Sequence, residues 1–397
     1  IRVAFQLRGG DMNKAIQLII LCGLILLLVG LYSCDDPIPD EVEDLYPQEQ
    51  IPWPTLADTP YPMVRHDPQG TNRSSEAGVT SIQGATLIPT ENYYESPMAL
   101  DNENGIYRLG TKSGTTVLEY FNSQDSLDWD LSIEHSPEVG NVPSMVANDQ
   151  YLIPNKRSIW KMEGQSYEAL WENQVIDHLT NVTIGLSGEL YFITGDPKRV
   201  VSLDNNGAER WTFTFPVHSS LGYLPIVISP DGEQIYFADG AHIFAFSTDG
   251  EMLWQYPALE SWIFHMMIDN AGNIYYVSDS ERSIVCLTQG GDLRWQTSID
   301  SLGLKKIQTY AGPTIDYLGN LYYTCKDTNN VQGVISLDNE GYERWFRPYT
   351  TVIDLLCDKN NRIYLGYSWN RDHYMGAISK DGDCVESDQF GSFDLNK

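Results

Sequence analysis

A tryptophan returns along this chain roughly every forty residues. Four times it stands four residues after a glycine, at Gly207/Trp211, Gly250/Trp254, Gly291/Trp295 and Gly341/Trp345. Two further copies keep the Trp without the Gly, Asp125/Trp129 and Tyr167/Trp171, and the six Trp lie 42, 40, 43, 41 and 50 residues apart. Upstream of each runs a second marker, an Asp/Asn/Gly-rich turn followed by an aliphatic residue and Tyr: Ile106-Tyr107, Leu190-Tyr191, Ile235-Tyr236, Ile274-Tyr275, Leu321-Tyr322 and Ile363-Tyr364, with Tyr151-Leu152 in the second unit. Two markers in one register at a period of about 42 residues define a repeat architecture.

Each unit reads as four strands. In the fourth, apolar runs at 224–229, 234–238, 242–247 and 252–256 are separated by Asp231-Gly232, a short link and Asp249-Gly250. Two-residue Asp-Gly turns between apolar runs are hairpin signals. Ile243-Phe244-Ala245-Phe246 is apolar on both strand faces, which requires a sheet covered on both sides, as when blades stack around an axis. No sustained helical periodicity follows Cys34. The expectation is an all-β, seven-bladed β-propeller of four-stranded antiparallel blades, with Trp129, Trp171, Trp211, Trp254, Trp295 and Trp345 docking between neighbours. The seventh unit has Glu386 where the Trp belongs, and a polar tail. Its outer strand is therefore expected from the N-terminal side, from about Val79–Ile88, closing a ring over about 79–391 without an exposed edge.

The chain has 397 residues, 25 Lys+Arg and 54 Asp+Glu, for a net charge of −29. Phosphate binding needs a basic face, so nucleic acid is excluded as a partner. Residues 1–11 read as upstream extension before Met12, and 12–33 as a signal peptide with Lys14 and the apolar run Leu18–Leu31. Leu31-Tyr32-Ser33-Cys34 resembles a bacterial lipobox, which implies cleavage before Cys34 and lipidation of it. The expected place is the outer membrane, with the membrane touched only through that anchor. Residues 34–62 are acidic and Pro-rich and read as an extended tether. The acidic run after Cys34 resembles the surface-export signal of Bacteroidetes lipoproteins; a plain soluble linker reads equally well. The propeller then spans 63–397.

The blade pattern at Val201–Trp211 and Ile335–Trp345, hydrophobic-x-Leu-Asp-x-x-Gly-x-x-x-Trp, resembles the pyrroloquinoline quinone (PQQ) repeat. The segment Tyr61-Pro62-Met63-Val64-Arg65-His66-Asp67 resembles the opening of PQQ-like propellers, and the resemblance covers about residues 61–390. It implies a propeller. It leaves two kinds of function open, because the family holds both PQQ- and calcium-binding dehydrogenases and cofactor-free propellers, such as the lipoprotein subunit of the outer-membrane β-barrel assembly machine. The vicinal disulfide typical of the dehydrogenases has no counterpart, since this chain has no adjacent Cys pair. No cofactor is expected.

Other chemistry is sparse. Asp101–Gly105 and Asp269–Asn273 have the composition of calcium loops but not the ligand order, and read as hairpin turns. His135, His178 and His218 follow their blade Trp by six or seven residues, a spacing that suits zinc or copper only if adjacent blades converge there. Cys286, Cys325, Cys357 and Cys384 read as mostly unpaired thiols. Two Trp lie outside the repeat. Trp262 stands with Phe264 and His265 in the loop entering the fifth unit, and Trp369 with Arg371 and His373 in the seventh. These six residues are the candidate binding face. With no catalytic set visible, the expected function is a protein-binding envelope scaffold, then a glycan- or peptide-binding surface lipoprotein, and last a PQQ-dependent dehydrogenase.

Overall fold

The computed structural model describes residues 46–393, apart from 60, 64, 79–98, 102, 104, 113–114, 125, 133–143, 147–149, 155–157, 164, 173–178, 196–197, 216–225, 259–262, 264, 309–311, 350–351, 370–371 and 384–391. Among these residues every regular element is a strand, and the strands form seven antiparallel sheets. Blade 1 holds β1 (Ala99–Leu100), β2 (Ile106–Lys112), β3 (Thr115–Phe121) and β4 (Leu127–Ser132). Blade 2 holds β5 (Ser144–Val146), β6 (Gln150–Pro154), β7 (Ser158–Glu163) and β8 (Ser166–Glu172). Blade 3 holds β9 (Thr183–Ile184), β10 (Leu190–Thr194), β11 (Arg199–Leu203) and β12 (Glu209–Thr214). Blade 4 holds β13 (Val227–Ile228), β14 (Gln234–Ala238), β15 (His242–Ser247) and β16 (Met252–Pro257). Blade 5 holds β17 (Met266–Ile268), β18 (Ile274–Ser278), β19 (Ser283–Leu287) and β20 (Leu293–Ser298). In blade 6 the inner strand is broken into β21 (Leu304–Ile307) and β22 (Thr314–Ile315), which both pair with β23 (Leu321–Asp327), followed by β24 (Gln332–Leu337) and β25 (Glu343–Pro348). Blade 7 holds β26 (Val352–Cys357), β27 (Ile363–Trp369), β28 (Asp372–Ile378) and β29 (Ser392–Phe393). The chain is a seven-bladed propeller in which each sheet is made of consecutive strands.

The two middle strands of a blade are sandwiched between neighbouring blades, which is why they are apolar on both faces: all five residues of β10, β18 and β19 are buried. The outer strands face solvent and alternate, so β16 runs from exposed to half-buried and back along its length. Aromatic rings fill the seam between blades 3 and 4, where Phe213 lies 5.4 Å from Phe244 and 4.9 Å from Phe246.

The polar, Pro-rich stretch expected to be tether up to Pro62 departs from that reading. From Tyr46 onward it belongs to the same compact unit as the blades, and Trp53, Leu56, Ala57 and Met63 are buried. A stretch too polar to build its own core has instead inserted a few apolar side chains into cores that the blades provide. Its backbone is bonded to them as well. The carbonyls of Tyr61, Pro62, Pro68, Gln69, Thr71 and Asn72 accept from the amides of Leu100, Met145, Ile228, Ile268, Ile315 and Cys357, at 2.6–3.3 Å. Those donors belong to the inner strands of blades 1, 2, 4, 5, 6 and 7. Blade 3 is reached by Trp53, whose Nε1 donates to Ile184 O at 2.9 Å, and by Thr55, whose Oγ1 donates to Gly185 O at 2.7 Å. Residues 53–72 thus form a hub that touches the inner strand or first turn of all seven blades. Arg65, His66 and Asn72 hold positive φ (64°, 72° and 54°) in its tight reversal, which the bonds Asn72 N to Arg65 O and Thr71 N to Asp67 Oδ1 keep closed.

The outer strand of blade 7 is a second correction. It is β29, which pairs His373 with Phe393 and Tyr374 with Ser392. Ladder pairing uses backbone groups and needs no apolar pattern, so the polar tail concealed it. Val79–Ile88, expected in that position, lies outside the described residues.

Candidate functional site

The seams between blades are where this repeat does its distinctive chemistry. In blades 3, 4, 5 and 6 the Trp is the third residue of the outer strand. It lies across from a small residue of the preceding strand (Ser202, Ala245, Cys286 or Ser336), and a bulge follows at once. The small partner and the bulge tip the indole toward the next blade. There Nε1 donates to a turn carbonyl: Trp211 to Thr248 at 2.9 Å, Trp254 to Gln289 at 3.0 Å, Trp295 to Asn339 at 2.8 Å and Trp345 to Lys380 at 3.0 Å. Each acceptor precedes the next repeat's Gly by two residues, and that Gly lies under the ring. The Gly and Trp of one repeat therefore serve different seams.

An Arg before the Trp strengthens three of these contacts, a pattern the sequence reading missed. Arg210 Nη1 shares the Thr248 carbonyl at 3.0 Å while Nη2 meets Asp249 Oδ1 at 3.1 Å. Arg294 does the same with Asn339 O and Glu340 Oε1, and Arg344 with Lys380 O at 3.0 Å and Asp381 Oδ1 at 3.8 Å. The signal was present: an acid precedes the Gly wherever Arg precedes the Trp docking on it. Where Leu253 precedes Trp254, the facing residue is Gly290.

Blade 2 breaks the rule. Trp171 is the sixth residue of β8, not the third, and the bulge has moved with it. Its Nε1 donates to the Glu209 carboxylate at 3.1 Å, and its ring meets Phe192 edge-on at 5.0 Å. The third position holds Glu168, across from Lys161. Among the described residues the turn glycine Gly207 is covered by Leu170, whose backbone carbonyl and side chain are the atoms nearest to where its Cβ would be. A cleft of about 310 Å³ opens beside them, lined by Lys161, Leu170, Asn205 and Asn206, with Pro54 and Thr55 of the hub at its rim. Trp129 is third in β4 and stacks on Tyr120 of its own blade at 5.4 Å.

At the axis, Arg65 is buried, and its Nη2 donates to Gly70 O at 3.0 Å and to Pro313 O. Burial pushes its pKa down, and Asp354 opposes that fall. Burial likewise pushes the Asp354 carboxyl up, and Arg65 partly offsets this. Three A–B turns bury a carboxylate in the same way. Asp316 accepts from Leu318 N, Asn320 N, Asn320 Nδ2 and the Tyr322 hydroxyl at 2.7–2.9 Å. Asp269 accepts likewise from Asn273 and Tyr275, and Asp358 from Arg362 N and Tyr364. Asp269–Asn273 is thus a hairpin turn whose acid is taken up by the turn itself.

Cys286, Cys325 and Cys357 are buried free thiols, and burial pushes the first two up to about 12 and the third well above its usual value. Cys34, Cys384, His135, His178 and His218 lie outside the described residues. Of the candidate face, Trp262, Phe264 and Arg371 do too. His265 is half-buried just before β17, while Trp369 and His373 sit in the β27–β28 hairpin, paired across it with Asp372 and Ser368. The face therefore draws on blades 5 and 7. Among the described residues no cluster of three or more His, Cys, Asp or Glu is placed to hold a metal ion.

A family model described as outer membrane protein assembly factor BamB matches residues 155–365. No curated protein matches the chain. Among solved structures, a virginiamycin B lyase from Staphylococcus aureus superposes with a TM-score of 0.52 at 11% identity, covering 71% of this chain and 94% of that one. A streptogramin B lyase gives 0.48 at 12% identity, over 71% and 92%. A protein of unknown function from Bacteroides caccae gives 0.38 at 13%, over 61% and 93%. At these identities the likeness is one of fold.

Proposed function

The chain belongs to the family described as outer membrane protein assembly factor BamB, and from that premise we propose that it is a non-enzymatic protein-binding scaffold of the cell envelope, held at the outer membrane by lipid on Cys34. The observation that carries this reading is where the reactive groups go. The carboxylates of Asp269, Asp316 and Asp358 are each taken up by their own turns. The three described thiols are buried with raised pKa values, the opposite of what a nucleophile needs. What the fold offers instead is a ring pinned at its hub, a rigid platform for variable loops. The lyase likeness brings no catalytic residue with it, because it is a likeness of fold.

The proposed contact face carries Trp262, Phe264, His265, Trp369, Arg371 and His373; Trp and Arg are the residue types that dominate interface hot spots. Affinity purification of the anchored protein, with a glycan array in parallel, tests it. A co-purifying protein lost on replacing Trp262 and Trp369 by Ala supports the scaffold. Glycan binding lost in the same variant favours the glycan-binding surface lipoprotein instead. Dehydrogenase activity on reconstitution with PQQ and calcium overturns both. Fatty-acid labelling that marks wild type and misses Cys34→Ser checks the anchor.

A further inference from the structure

We propose that the seam between blades 4 and 5 is a docking site for an extended segment of a partner protein, one that sets an apolar side chain between basic ones and pairs along the free edge of β16. The proposal rests on the scaffold reading and gives it a second surface, at the opposite end of the strands from the loops of the candidate face.

This seam departs from its neighbours. Between blades 3 and 4, 5 and 6, and 6 and 7, an Arg before the docking Trp meets an acid on the next turn. Here the two positions hold Leu253 and Gly290. Leu253 precedes Trp254, whose Nε1 donates to Gln289 O of the blade 5 turn. Leu293 approaches from the other side. It lies across from Leu287, so the two share a face. Leu287 is buried in one core with Ala245 of blade 4, and Trp254 packs against that core. The residues equivalent to Leu293 in blades 3 and 6 are Glu209 and Glu343. Leu253 and Leu293 are left 44% and 48% exposed. The seam therefore carries an apolar notch where the others carry charge, and apolar side chains left facing solvent together mark an interaction site.

The strand beside the notch points to the occupant. β16 ends its sheet. The bond from Ala258 N to Ala241 O fixes the alternation of the β15–β16 ladder, so the backbone N–H and C=O of Gln255 turn away from β15. Among the described residues no group takes them. Of the six outer strands with six or more residues, β16 is the one without a charged side chain, and charge is what keeps other strands off an edge. A partner strand bonded through its backbone fits such an edge. Its charge follows from the rim. Glu251 and Asp292, the residues before Met252 and Leu293, are exposed and form no ion pair among the described residues. They favour Lys or Arg on either side of the inserted side chain. They disfavour a second copy of this chain, which would bring acid to acid.

The probe is a fluorescein-labelled octapeptide of alternating Lys and Thr with Leu in place of one central Thr, titrated with the full chain at about 0.15 M salt. The all-Thr peptide has the same charge and reads general attraction to an acidic protein. Saturable anisotropy is expected, with the Leu peptide at least about fivefold tighter than the Thr peptide. Leu253→Arg combined with Gly290→Asp copies the pair of the neighbouring seams at unchanged net charge. Gly290 has no positive φ, and a Cβ on it would meet only Thr288 Oγ1 at 3.7 Å, so the turn accepts the Asp. This variant should erase the preference for Leu. Gln255→Pro leaves the β15–β16 ladder whole, because that N–H points outward, and should weaken the Leu peptide at least about fivefold. Matching thermal midpoints show that both variants keep the fold. Equal binding of the two peptides, a preference that survives the paired variant, or full affinity in Gln255→Pro overturns the site. So does a dimer of the chain that the paired variant abolishes. The scaffold reading is tested apart from this, by the protein lost on replacing Trp262 and Trp369: it stands if that protein is found and the peptides fail. If neither appears, both fall.

Discussion

A Cβ placed on Gly291 would sit 2.7 Å from Cδ2 of Trp254, so the indole of blade 4 rests directly on the backbone of the blade 5 turn. The relationship explains why the repeat needs both residues. The glycine supplies positive φ (85°) and, through its missing side chain, the floor on which the previous blade's ring lies.

Gly291→Ala should therefore cost twice over. Left-handed backbone in a non-glycine residue costs roughly 1–2 kcal/mol, and pressing a methyl into a packed ring adds about 1–3 kcal/mol. Gly303 separates the two effects, because it has φ +66° but nothing within 4 Å of its added Cβ. Gly303→Ala should show the backbone cost alone. Denaturant midpoints at constant slope measure both; equal losses would mean that the ring gives way freely.

The hub makes a second prediction. Trp53 is buried and donates to blade 3 across 131 residues of sequence. Trp53→Ala should destabilise the propeller by about 3–5 kcal/mol, the usual cost of deleting a core Trp. Removing residues 1–45 should leave the unfolding midpoint where it was. Removing residues 1–74 takes away a bond to every blade's inner region and should abolish cooperative unfolding. A cooperative transition in the shorter chain would show that the blades close the ring unaided.

Much of the propeller was legible because the signals are periodic. Strand pairs, Asp-Gly turns and the third-position Trp all follow from alternation and turn chemistry that each repeat states again. The hub was not legible, since Tyr61–Asn72 binds through backbone carbonyls, which no side-chain pattern announces. For the same reason β29 was hidden in a polar tail. The blade 2 cleft was concealed differently. Trp171 keeps the spacing of the repeat, and only the strand register shows that the turn, not the Trp, has shifted. The Arg–acid pairs were readable and overlooked, because the acid lies in one repeat and the Arg in another.

Cysteine chemistry gives a third test. With a thiol pKa near 12 for Cys286 and Cys325, about one molecule in ten thousand carries thiolate at pH 8. Burial pushes Cys357 up further. Iodoacetamide at pH 8 should leave all three unmodified in the native protein and alkylate them fully in denaturant, as read by peptide mass spectrometry. Rapid native labelling of any one would place it at the surface and remove one support for the non-enzymatic reading.

Asp316 supplies a test with a defined sign. Burial raises its carboxyl pKa, and the hydrogen bonds from Asn320, Tyr322 and Leu318 only partly offset this. In the window between the usual carboxylate value of about 3.9 and the raised one, the folded state holds a proton that the unfolded chain has released. Stability from this group is therefore fully present below the ordinary value and is lost as pH rises through the folded value. Asp316→Asn cannot ionise and lacks that dependence. It keeps a carbonyl for the backbone amides of Leu318 and Asn320 but offers Tyr322 and the Asn320 side-chain amide a donor in place of an acceptor. As pH falls from about 7 through the raised folded value to about 3.9, wild type should gain stability relative to the variant. Exposed acids titrate alike in both proteins, so they cancel from the difference. A difference that stays flat with pH would mean that the turn's hydrogen bonds fully balance burial, and a difference that reverses would mean that they exceed it.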